Sequence, residues 1–145
     1  MAKRGILEEV VQEMFVAYDP NHSPVGWYIG SYLSRFVVLG EDQNDDPERK
    51  FLVWENTVLV KADDFDEAYD KIVAIGRQHG EPYKNGLGQD AQWAFEGVSE
   101  LLPIYEKIED GCEVMWTEYT KKLKNIRRRA STKAQLHRTH PRFEG

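Results

Sequence analysis

The chain has 145 residues, of which 41% are apolar and 30% charged, and a net charge of −6. A chain of this length buries about 68–70% of the surface its unfolded form exposes, so one domain is expected to fold without disulfides or a structural metal. The composition excludes disorder and fibrous architecture, the short apolar runs exclude a transmembrane helix, and Cys112 as the sole cysteine excludes an internal disulfide or a cysteine-based zinc site.

Residues 6–18 read as an amphipathic helix, with Leu7, Val10, Val11, Met14 and Tyr18 spaced three and four apart opposite Glu8, Glu9, Gln12 and Glu13. Those acids interrupt what a signal peptide would keep uncharged, so the expected location is cytoplasmic. Asp19-Pro20 ends the helix, because the residue before proline is pushed out of the α region. Residues 27–39 are aromatic and β-branched and predict a first strand, in which Gly30 implies a bulge or a close backbone approach. A polar connection, Gly40 to Lys50, leads to a second strand from Phe51 to Ala62 and a long antiparallel hairpin.

Residues 64–79 carry the best helical signal: Asp64 as N-cap, Glu67 three residues later, an apolar stripe through Phe65, Ala68, Ile72 and Ile75, and Gly80 as a left-handed C-terminal stop. Glu81 to Asp90 reads as turn. Residues 91–102 predict a third strand closed by Pro103, and Cys112 to Tyr119 a fourth, after the turn Glu109-Asp110-Gly111. The expected fold is therefore α+β: a four-stranded antiparallel sheet in the order ββαββ with one crossing helix, an appended N-terminal helix and a basic C-terminal tail. The body is expected over residues 1–120 and the tail, part helical and part disordered, over residues 121–145.

Three segments carry a family likeness. They are Trp27-Tyr28, the run from Glu55 through Val60, Ala62 and Phe65 to Ala68, and Tyr83-x-Asn85-x-x-Gly88 leading to Trp93-x-Phe95-x-Gly97-Val98 and Asp110-Gly111-x-Glu113-Val114. Over about residues 26–120 the chain resembles the bacterial domain of unknown function family numbered 4288. The resemblance implies a small cytoplasmic α+β domain and assigns no chemistry.

Motifs for catalysis and metal binding fail on inspection. His137 and His140 are spaced for one helix face but have no third ligand and are followed by Pro141. Asp42-x-Asn44-x-Asp46 begins like a calcium loop, yet Pro47 and Val53 stand where glycine and glutamate are needed. No phosphate-binding glycine motif is present, and Cys112 reads as a small hydrophobe. No metal or cofactor is expected. One constellation survives: Glu55 and Glu113, if on neighbouring strands, would share a face with Tyr83, Asn85 and Trp93 and bind a polar ligand or do acid–base work. The competing reading has Glu55 paired across strands or facing water.

Charge is segregated. Residues 121–145 carry +8 and residues 1–120 carry −14. The basic segment, with Lys121, Lys122, Lys124, Arg127, Arg128 and Arg129, is a candidate surface for nucleic acid, for an acidic partner or for the chain's own body. The predicted strands are apolar on both faces, which one helix cannot cover. The N-terminal helix, the start of the basic segment or a second subunit must cover the other face, and a homodimer is the favoured expectation over a monomer closed by its own N-terminal helix. The leading functional expectation is a non-enzymatic protein-interaction module of the immunity or inhibitor kind. The alternatives are a nucleic-acid accessory protein using the tail, and a small enzyme or ligand binder around Glu55 and Glu113.

Overall fold

The computed structural model of the chain describes residues 19–137. The helix expected over residues 6–18 lies outside the described residues, as does the tail beyond His137. The elements run β1 (Trp27–Val38), β2 (Val53–Lys61), α1 (Phe65–Gln78), β3 (Tyr83–Lys84), β4 (Asp90–Pro103), α2 (Leu123–Arg129) and α3 (Lys133–Leu136). The strands form one antiparallel sheet in the order β2-β1-β4-β3, so the α+β class and the ββαββ order hold.

The helix-covered face follows from strand parity. Paired residues share a face, and the register places Tyr28 with Val60 and Pro103, Gly30 with Val58 and Leu101, and Tyr32 with Asn56 and Val98. Tyr28, Tyr32, Val60, Ala62, Ala68 and Ile72 form the buried core, flanked by Val58, Phe65, Ile75, Phe95, Val98 and Leu101. Gly30 allows the helix to come close, since a Cβ there would stand 2.9 Å from the Ile72 side chain. Two register shifts between β1 and β4 skip Ser99 and Glu96, on either side of Gly97, where φ is 151°. The opposite face buries Ile29 and Val37 but leaves Val53 and Leu59 exposed at 49% and 44%.

Asp64 caps α1, its carboxylate accepting from the Glu67 amide at 2.8 Å, while the Glu67 carboxylate accepts from the Asp63 amide at 3.1 Å. Gly80 has no left-handed backbone. Its role is instead spatial: a Cβ would stand 3.0 Å from the Trp93 carbonyl, so glycine lets the helix end meet β4.

The fourth strand differs from expectation. Cys112 to Tyr119 has no regular structure; after the Gly111 turn it packs Trp116 on Tyr105, ring centroids 5.9 Å apart, rather than joining a ladder. The fourth strand is β3, two residues inside the stretch read as turn. Its hairpin is closed by the Asn85 side chain, which accepts from the amides of Leu87 and Gln89 at 3.0 Å each. The polar connection after β1 is also ordered by side chains: Arg35 and Arg49 lie over the Phe51 ring at 4.6 and 4.9 Å, and Asn44 donates to the Val38 carbonyl at 2.9 Å. At the chain's entry, the buried Ser23 hydroxyl bonds the Ile104 carbonyl at 2.5 Å and accepts from the Trp27 amide.

Candidate functional site

Among the described residues, the lengths of the elements leave one end of the sheet uncovered by helix. Fourteen residues of α1 span about 21 Å, and twelve residues of β1 about 40 Å. The helix ends at His79, over Tyr32, and the sheet face beyond it carries Ser34, Phe36, Trp54 and Trp93. These share a face because Ser34 pairs with Trp54 and Phe36 with Trp93.

A cavity of about 380 Å³ opens there, lined by Tyr32, Ser34, Trp54, Asn56, Thr57, Val58, His79 and Trp93. Its wall is aromatic. The Trp54 and Trp93 ring centroids are 4.7 Å apart and tilted by 34°, and Phe36 extends the stack behind Trp93 at 5.3 Å. Trp54 remains 40% exposed. At the helix end the Tyr32 hydroxyl and His79 Nδ1 share a hydrogen bond of 2.8 Å. Burial pushes the Tyr32 phenol above its ordinary pKa, with the Asn56 side chain opposing. The Gln92 side-chain amide donates to the Gly80 carbonyl at 2.8 Å, tying β4 to the end of the helix. A rigid aromatic wall beside amide, hydroxyl and imidazole groups is suited to holding a flat polar group.

The cleft borders the sheet's long edge. The Phe36 amide donates to the Leu52 carbonyl and the Ala62 amide to the Gly26 carbonyl, which fixes the hydrogen-bonding phase at both ends of the β1–β2 ladder. Even-numbered residues of β2 therefore turn their backbone groups inward to β1. Val53, Glu55, Thr57, Leu59 and Lys61 turn theirs outward. The Lys61 carbonyl accepts from the Lys71 ammonium at 2.5 Å. Among the described residues, the outward groups of Val53, Glu55, Thr57 and Leu59 have no backbone partner. No bulge interrupts this edge.

Of the residues singled out from the sequence, Trp93 lines the cleft. Tyr83 and Asn85 belong to the β3 hairpin, where Asn85 is a turn-former and the Tyr83 hydroxyl is buried without a hydrogen-bond partner among the described residues. Glu55 lies on the face away from α1 and accepts from the Ser99 hydroxyl at 2.8 Å. Glu113 lies in the segment after β4, its amide donating to the Glu106 carboxylate at 3.0 Å. No strand carries Glu113, so it does not meet Glu55 across a ladder. Lys122 precedes α2, where Lys124 and Arg127 also sit, and Lys121, Arg128 and Arg129 line a shallow groove with Asn125. Neither α2 nor α3 buries a residue. The sequence reading missed Tyr32, Ser34, Trp54, Asn56 and His79 as site residues. The signal was present in the period-two register and in a helix too short for its sheet.

Among the described residues no helix is long and apolar enough to cross a membrane, and no three metal-capable side chains converge. Residues 27–116 match the model of the family described as domain of unknown function DUF4288. That is more than half of the chain, and the chain belongs to this family. No curated protein matches it, and no solved structure does.

Proposed function

We propose that this DUF4288 protein is a non-enzymatic protein-interaction module whose partner is held at the cleft between the end of α1 and the edge of β2. The observation that carries this reading is the Trp54–Trp93 pair, stacked at 4.7 Å with Trp54 40% exposed. A rigid indole pair beside hydrogen-bonding groups has the composition of an interaction hot spot, where large aromatic anchors supply contact area at small entropic cost. The −14 charge of residues 1–120 adds complementarity to a basic partner, as in immunity and inhibitor proteins that block basic sites.

Photo-crosslinking in cells that naturally make the protein tests this. A photoreactive amino acid in place of Asn56 is expected to give a protein adduct of discrete mass, and Trp54→Ala is expected to abolish it. The same group in place of Leu87, which is 84% exposed in the β3 hairpin, is the control. Absence of an adduct at the cleft, or equal adducts at both positions, contradicts the reading.

A further inference from the structure

Two features of one edge converge. Val53, Glu55, Thr57 and Leu59 point their amides and carbonyls away from β1, as the ladder phase requires, over nine residues of unbulged strand. Natural sheets blunt such edges with bulges, prolines or inward charge, or else use them to pair with another strand. On the helix side of the same strand, Trp54 and Asn56 line the aromatic cleft. An added strand places alternate side chains on that side, so one of them falls beside Trp54.

We infer that an extended segment of a partner protein adds to the outer edge of β2 and inserts an arginine guanidinium into the Trp54–Trp93 cleft. This rests on the interaction-module reading and specifies its partner. Strand addition uses the outward backbone groups of Val53, Glu55, Thr57 and Leu59. The guanidinium is flat and cationic: it stacks on indole faces and donates to oxygens such as those of Asn56 and Ser34 in the lining. A cavity of about 380 Å³ accommodates one such side chain. The charge of the body, −14 over residues 1–120, favours a cationic partner over an anionic one.

The full chain is titrated with a capped pentapeptide holding arginine between valine and threonine residues, with tryptophan fluorescence and the indole NMR signals as readouts. The arginine peptide is expected to shift the Trp54 and Trp93 indoles. Citrulline, its neutral isostere, is expected to weaken binding about tenfold. N-methylation of the peptide amides that face β2 is expected to weaken it as well, while leaving capped arginine alone unaffected by comparison. Leu59→Pro, which removes an outward amide and spares the β1 ladder, is expected to reproduce the loss. Equal binding of the citrulline peptide overturns the guanidinium assignment. Equal binding of the N-methylated peptide overturns strand addition, and saturation of the cleft by an oligothymidine instead overturns the partner class. No binding by the arginine peptide, together with a protein adduct at Asn56 in cells, overturns this inference and leaves the interaction module standing; loss of both overturns both.

Discussion

Several single residues decide local structure here by space and hydrogen bonding rather than by reactivity. Gly30 exists where Ile72 descends onto β1, and Gly80 where the end of α1 meets the Trp93 carbonyl. Tyr32 spans both roles, its ring in the core and its hydroxyl shared with His79 at the cleft. Tyr83 stands apart, because its buried hydroxyl has no hydrogen-bond partner among the described residues. A buried polar group without a partner costs about 1–3 kcal/mol. Tyr83→Phe is therefore expected to leave stability unchanged or raise it by up to about 1 kcal/mol, as read from denaturant unfolding. A loss above about 1 kcal/mol would show that the hydroxyl has a partner after all.

At the scale of elements, α1 owes its start to the Asp64 cap. Loss of that hydrogen bond is expected to cost about 1 kcal/mol in Asp64→Ala, measured by chemical denaturation, and Asp64→Asn is expected to recover most of it. The strongest elements were legible in the sequence: β1, β2, α1 and β4 fall within two residues of their expected bounds, because long periodic runs and an N-cap announce them. β3 was not legible, since two residues carry no period and their strand character comes from pairing Tyr83 with Ala91 and Lys84 with Asp90. Cys112 to Tyr119 alternates like a strand, but Trp116 finds its partner in the Tyr105 ring. The site was half legible for the same reason. Trp93 sits in a motif, whereas Tyr32, Trp54 and His79 come together only once the register of three strands and the end of one helix are fixed.

At the scale of the whole molecule, the described residues form a sheet with one packed helix that covers less than its length, and two helices in the basic segment that bury nothing. The uncovered end and the long edge of β2 meet at one place, and the functional reading rests on that meeting. Its premise is measurable on the free protein by residue-resolved amide hydrogen exchange along β2. The amides of Trp54, Asn56, Val58 and Val60 face β1 and are expected to exchange slowly. Those of Val53, Glu55, Thr57 and Leu59 face outward and are expected to exchange fast, giving an alternating pattern along the strand. Uniform protection at both sets of positions would mean that the edge is already occupied, by another part of the chain or by a second copy, and would contradict an open edge for a partner strand.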